Sequence, residues 1–263
     1  LFSERDVNKQ VGGLDQWNPW APLKLVLTRD PNGQKEDSFG SYLVFRKLEQ
    51  NVRLYEKKKQ EIIKILELNG EDEKRAGALI FGRFEDGTPL TDSRAPGRPL
   101  FNNFDYGKDD GSKCPFHAHI RKMNPRGASV PDSYGYSYPV DLEAERARRI
   151  VRRGITYGRR NIEPRDHPVI DKMPTGGVGL LFMCFQSDIG NQFEFIQKSL
   201  ANDAKFPRVG TGLDPVIGQG ESQSQTWPRE WDKPETADFN FGGVVTMKGG
   251  EYFFAPSISF LVN

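Results

Sequence analysis

"GSYLVFRKLEQNVRLYEKKKQEIIKILEL" (residues 40–68) changes its period partway along. Up to Gln50 it is a β-rich run carrying Tyr42, Val44 and Phe45. From Asn51 onward, apolar Val52, Tyr55, Ile62, Ile63 and Leu66 recur near one face of a 3.6-residue helix. The stretch predicts a strand that runs straight into an amphipathic helix, and "NGED" (69–72) stops it.

Outward from this stretch the same two periods alternate. "LKLVLTRD" (23–30) reads as a strand leading into the turn "PNGQ", and "EKRAGALIFGRF" (73–84) as a second, short helix. "DLEAERARRIVRRG" (141–154) is charged and helical or turn-like, and "GVGLLFMCFQ" (177–186) is a buried strand. "GNQFEFIQKSLAN" (190–202) spaces Phe193, Ile196 and Leu200 for one helix face. The C-terminal "NFGGVVTMKGGEYFFAPSISFLVN" (240–263) predicts two strands joined by "KGG". Strands separated by helices predict an α+β fold of ferredoxin-like type, a mainly antiparallel sheet covered by helices. Residues 1–22 read as a linker and 23–263 as one domain with long excursions at about 85–140 and 203–238.

Charge and composition exclude several classes. Net charge is +1, from 37 basic and 36 acidic side chains, which gives no electrostatic argument for a nucleic-acid partner. No apolar run reaches membrane-spanning length, so no membrane partner is expected. No leader peptide is visible, and a reducing, cytoplasmic location is the expectation. Two cysteines, Cys114 and Cys184, allow one disulfide but not a disulfide framework. The chain opens on Leu1 rather than Met, which leads us to expect processing or a missing N-terminal part.

"KCPFHAHIRKMNPRG" (113–127) gathers Cys114, His117 and His119. A structural zinc reading would use all three, but the second short ligand pair that such sites need is absent. One packed and one solvated histidine is the alternative. "ARRIVRRGITYGRR" (147–160) then concentrates arginines, which suit a solvated face, a phosphate, or the carboxylates of a buried ligand.

Taken in order, "CPFHAHIRKMNPR" (114–126), "RIVRRGITYG" (149–158), "GLLFMCFQSDIGNQFEFIQ" (179–197), "GLDPVIGQ" (212–219) and "KGGEYFFAPSISFL" (248–261) resemble the C-terminal half of a dye-decolorizing (DyP-type) haem peroxidase. "WNPWAPLKLVLTRDPNG", "FGSYLVFRKLEQNV" and "GRFEDGTPL" are also similar to the longer bacterial and cyanobacterial members. Several motifs in one order carry the likeness; any one alone is weak.

The resemblance implies two ferredoxin-like modules with haem b between them, this chain supplying the C-terminal one. It implies His119 as the proximal iron ligand, with Asp214 as acceptor for its other ring nitrogen. It implies Arg152 as the distal arginine that stabilises charge as the O–O bond of peroxide separates. Arg121, Asn124 and Arg126 become expected holders of the haem propionates, Leu180 and Phe182 expected distal-pocket residues, and Tyr157 an expected surface electron relay. His117 is expected to be a non-ligating neighbour. Hydrogen peroxide and a bulky aromatic reductant, a phenol or dye, are the expected small partners. A separate N-terminal fragment of the same enzyme and a homo-oligomer are the expected macromolecular ones.

Two departures stand out. The resemblance places the family's Gly-x-x-Asp-Gly motif, whose aspartate moves the peroxide proton, in the N-terminal part that comes before a stretch like "LFSERDVNKQ", and Asp86 of "GRFEDG" is not assigned that role. The tryptophan expected after "QFEFIQ" is replaced by "KSLAN". A half-length haem protein without peroxidase activity, and a haem-free interaction module, therefore stand as alternative readings.

Overall fold

The computed structural model describes residues 22–97, 102–127, 142–159, 169–221 and 223–262. The predicted linker at 1–22 lies, except for Pro22, outside the described residues. The strand-to-helix switch falls at Asn51. Strand β2 (Phe39–Gln50) ends there, and the Asn51 side chain accepts the Leu54 N–H at 2.9 Å to cap helix α1 (Val52–Ile65). Such a cap contributes about 1 kcal/mol and fixes where the extended backbone gives way. Helix α2 (Lys74–Phe81) follows and ends on Gly82, whose φ of 92° suits glycine.

The main sheet is antiparallel and forms around β2. On one side β2 pairs with β5 (Gly179–Gln186), and on the other with β8 (Val245–Ala255). The short β1 (Thr28–Arg29) also pairs with β2, while β3 (Val151–Arg152) and β4 (Ile155–Tyr157) both pair with β5. A separate hairpin joins β6 (Gln225–Pro228) to β7 (Thr236–Phe239). The architecture is α+β and ferredoxin-like, as the alternation of periods predicts.

Three sequence expectations are corrected. Only Thr28–Arg29 of the predicted strand 23–30 is extended, because Leu23–Leu25 closes a single 3-10 turn. "KGG" is not a turn: β8 runs through it, and the register with β2 shifts between Lys47 and Leu48. One extra residue makes a bulge, which keeps an 11-residue strand in one sheet. A Cβ on Gly250 would stand 2.7 Å from the Phe45 carbonyl oxygen, so glycine here serves close strand approach. The two predicted excursions are not empty loops either: the first holds helix α3 (His119–Met123), and the second holds β6 and part of β7.

The interior falls into separate clusters. Helices α1 and α2 pack Ile62, Leu66, Leu79 and Ile80 with Tyr106, Cys114, Trp227 and Phe241. One face of the sheet packs Val44 and Cys184 against Phe193, on a wide π-type helical stretch comprising Gly190–Glu194 and Ile196–Ala201. Farther along, that stretch buries Ile196 and Leu200 with Phe206, and Met123 of α3 and Ile150 pack there too. Helix α3 therefore sits between α2 and the wide helical stretch.

Candidate functional site

Pro115 O accepts the Ala118 N–H at 3.0 Å, closing a turn that delivers the chain into α3 with His119 as its first residue. His119 Nδ1 lies 2.9 Å from Asp214 Oδ2. The aspartate side chain is fully buried, whereas 17% of the His119 side chain stays accessible. The other carboxylate oxygen, Oδ1, accepts the N–H groups of Val216 and Ile217, both at 2.8 Å. Burial by itself would raise the Asp214 pKa. The His119 charge and hydrogen bond, with the Ile217 and Val216 N–H groups, outweigh it and hold the carboxyl below its ordinary 3.8. When the ring is neutral, an ionised Asp214 selects the tautomer with the proton on Nδ1, which leaves the lone pair on Nε2. Nε2 has no hydrogen-bond partner among the described residues. The Phe81 ring stands edge-on to the imidazole, with centroids 6.1 Å apart.

The other two members of the sequence cluster go elsewhere. His117 is buried against Trp227, ring centroids 4.2 Å apart. Burial, with Lys122 adding to it, pushes its pKa down to about 3 and keeps it neutral. Cys114 lies in the α1–α2 core, and burial raises its thiol to about 12. The three side chains do not assemble a zinc tetrahedron; among the described residues no group of three or more His, Cys, Asp or Glu is placed to hold a metal ion. Cys114 and Cys184 are both free, buried in different clusters, so the disulfide allowed by their number is not formed.

The sheet supplies a second set. Arg152 pairs with Cys184 across β3 and β5, which puts it on the same face as Phe182 and Leu180, two and four residues along β5. The Arg152 guanidinium is exposed and has no hydrogen-bond or carboxylate partner among the described residues. Its charge reaches both sides: it opposes the burial-driven rise of the Cys184 pKa, and it adds to the lowering at Arg83, just past α2. Phe182 contacts Phe193 at 6.0 Å, and Phe193 in turn contacts Tyr252 at 6.3 Å. The structure thus brings together Arg152, Leu180 and Phe182 on the sheet, and His119 and Asp214 at α3.

The expected propionate holders are not placed alike. Arg121 is 1% exposed and its NH1 binds Asp109 Oδ2 at 2.8 Å. It also donates to the backbone oxygens of Asp109 and Cys114, and its guanidinium lies over the Phe116 and Tyr106 rings. Arg126 donates to Asn102 O, Asn102 Oδ1 and Phe104 O, and burial pulls its pKa down to about 9. Both guanidinium groups bind protein acceptors that hold the 102–126 loop, which gives them a structural role beyond the expected one at the propionates. Asn124 caps the end of α3 and stays partly exposed, leaving its amide accessible. The Tyr157 ring carries Lys47 Nζ at 5.2 Å, and its hydroxyl is buried without a hydrogen-bond partner among the described residues. Asp86 is spent on turn geometry, accepting the Thr88 and Gly97 N–H groups.

Sequence reasoning passes over Lys122, Phe81 and Trp227. Phe81 and Trp227 read as plain core, and neither carries a motif that separates it from its neighbours. Lys122, three residues after His119 yet 0% exposed, breaks the usual rule for lysines. Only its burial reveals it.

The residues fit a ferric porphyrin. They offer one partly accessible imidazole backed by a buried carboxylate, and an apolar sheet face bearing an arginine that is unpaired among the described residues.

Comparison with known proteins gives the family. Residues 78–209, half of the chain, match the family model described as "Dyp-type peroxidase, C-terminal". The multifunctional dye peroxidase DyP2 of Amycolatopsis sp. is 48% identical, the alignment covering 99% of this chain and 57% of the relative. The dye-decolorizing peroxidase AauDyP1 of Auricularia auricula-judae is 35% identical over 84% of this chain and 45% of that one. The solved structure of the Anabaena sp. DyP-type peroxidase superposes with a TM-score of 0.81 at 49% identity, over 94% of this chain and 50% of that structure. The chain spans about half the length of the curated relatives it matches.

Proposed function

The chain belongs to the DyP-type peroxidase family, a haem-dependent family, and from that premise we propose that it is the haem-binding module of an enzyme that reduces hydrogen peroxide and oxidises bulky aromatic reductants. The observation that carries the reading is the His119–Asp214 pair, a partly accessible imidazole whose far nitrogen is bound by a fully buried carboxylate. We propose haem b as the cofactor, held by His119 Nε2.

Haem, when bound, supplies the iron that takes up the oxidising equivalents of peroxide. The chain's own residues do the rest. Asp214 keeps the Nδ1 proton in place and raises the basicity of Nε2. Arg152, unpaired among the described residues, stabilises the negative charge that develops on the departing peroxide oxygen. Leu180 and Phe182 exclude water beside it.

The proton of peroxide needs an acceptor. We propose that a separate N-terminal segment of the enzyme brings the Gly-x-x-Asp-Gly aspartate. Support comes from the sheet face opposite Val44 and Cys184. There Leu43, Phe45, Met183 and Phe185 join Phe253 and Ile155, which are 49% and 59% exposed, and none belongs to a core cluster of the described residues. An apolar face of this kind suits a partner. A cytoplasmic location remains a proposal; no described helix is long and apolar enough to cross a membrane.

The test is stopped-flow mixing of the haem-loaded protein, wild type and Arg152→Leu, with hydrogen peroxide. The wild type should react, and the variant should react about 10²–10³-fold more slowly with haem content unchanged. Equal rates would remove Arg152 from the reading, and an unreactive wild type supplied with the N-terminal segment would favour the half-length haem protein without peroxidase activity.

A further inference from the structure

Lys122 lies one turn beyond His119 on α3, and its side chain is wholly buried. Burying an ammonium is costly unless its donors are satisfied. Its Nζ donates to Asp203 O at 2.8 Å and to Gly212 O at 2.7 Å. These two carbonyls mark the ends of the loop that leaves the wide helix and arrives at Asp214. The loop is closed on itself by Gly212 N to Ala204 O at 2.9 Å and Asp214 N to Ala201 O at 3.0 Å. Its other side is backed by Gln225, whose amide donates to Leu213 O, and a Cβ on Gly212 would stand 2.9 Å from Gln225 Cγ. The segment before Asp214 is therefore held between Gln225 and Lys122. Burial draws the Lys122 pKa down to about 8, and Asp214 and Asp203 oppose that fall.

We propose that Lys122 is a positioning residue: its ammonium clamps α3 to both ends of the 203–212 loop and so sets the His119–Asp214 hydrogen bond, and with it the donor strength of His119 toward iron. This rests on the reading of His119 as the iron ligand. The clamp works because one rigid five-residue helix carries both members: His119 meets the carboxylate, and Lys122 meets the backbone that presents it. A displacement of the loop moves Asp214 but not His119, so the pair's geometry depends on the contact at Lys122.

The test uses the ferric/ferrous potential of the haem-loaded protein, a quantity that general loss of stability does not move in the folded fraction. Lys122→Met should raise the potential, in the same direction as Asp214→Asn, because a weakened imidazole donor stabilises the ferric form less. The double variant should lie no higher than Asp214→Asn alone, since both act through one hydrogen bond. Lys122→Gln, which keeps a donor, should give an intermediate shift. A variant that folds by circular dichroism but loads haem poorly is read by haem titration, with affinity expected to fall about 10–100-fold, as for Asp214→Asn. Wild-type potential and affinity in Lys122→Met or Lys122→Gln, or additive shifts in the double variant, would overturn the proposal. His119→Ala separates the two readings: if it binds haem with an unchanged spectrum, the ligand assignment fails. If it loses haem while the Lys122 variants behave as wild type, only the clamp fails.

Discussion

Replacing Asp109 by asparagine tests whether Arg121 belongs to the scaffold or to the cofactor. The two side chains are 1% and 5% exposed and meet at 2.8 Å. Asp109 Oδ2 accepts both Arg121 and the Cys114 N–H, while Oδ1 accepts the N–H groups of Gly111 and Lys113. Asparagine can keep the Oδ1 contacts, but its NH₂ then faces two donors, and Arg121 is left as a buried charge without a counter-ion. Breaking one partner of such a pair costs about 3–5 kcal/mol. Arg121 retains two backbone carbonyls and the faces of Phe116 and Tyr106, which puts the expectation near the lower end, about 3 kcal/mol. For a chain of this size that is a fall of roughly 6–12 °C in Tm. Urea unfolding followed by circular dichroism reads the loss, and a haem titration of the same samples reads the site. Arg121→Met combined with Asp109→Asn should cost less than the sum of the two single variants, because the shared interaction is lost once. If Asp109→Asn leaves stability within about 1 kcal/mol of wild type while Arg121→Met weakens haem binding tenfold or more, the guanidinium serves the cofactor and the structural role is wrong.

Three further outcomes follow from the geometry. Asp214→Asn should weaken haem binding about 10–100-fold, read by haem transfer to a competing apoprotein, because it removes the charged acceptor behind His119; wild-type retention would detach Asp214 from the site. His117 is held neutral down to about 3 in the folded chain against an ordinary 6.5, so the unfolded chain binds more protons in between. Its contribution is present above pH 6.5 and lost as pH falls toward 3, with a slope of up to about 1.4 kcal/mol per pH unit. His117→Phe should flatten the fall in urea-unfolding free energy between neutral pH and pH 4.5, and an unchanged slope would show that His117 is not held neutral. Cys114 and Cys184, buried with thiols raised to about 12, should react with a disulfide reagent only after denaturant is added; prompt labelling of either at neutral pH would place it at the surface.

The fold was legible where a local period spoke alone. The strand-to-helix switch at Asn51 and the strand over Gly179–Gln186 stand where the sequence predicts them. The failures come from long-range terms. Glycines at 249 and 250 look like a turn, but the bulge against β2 makes them strand residues, and only the partner's register decides that. "LKLVLTRD" alternates well, yet most of it has no partner strand, and a strand without a ladder does not form. The pairing of His119 with Asp214 was legible from residues that resemble a family motif. The loop-holding role of the arginines at 121 and 126 was silent because an arginine that holds a loop and one that holds a ligand have the same letters. Asp109 and Asn102 claim them, and neither stands out in the sequence. Lys122 was silent for the converse reason, since burial is a property of the folded neighbourhood.

The central claim, that His119 is the iron ligand of a haem module, is tested most directly by titrating haem b into the purified wild type and His119→Ala and following the Soret band. The account predicts stoichiometric binding with a histidine-ligated ferric spectrum in the wild type, and loss of that spectrum in His119→Ala with its circular dichroism unchanged. Equal binding and identical spectra in the two proteins, or no binding by the wild type when supplied with the N-terminal segment, would contradict it.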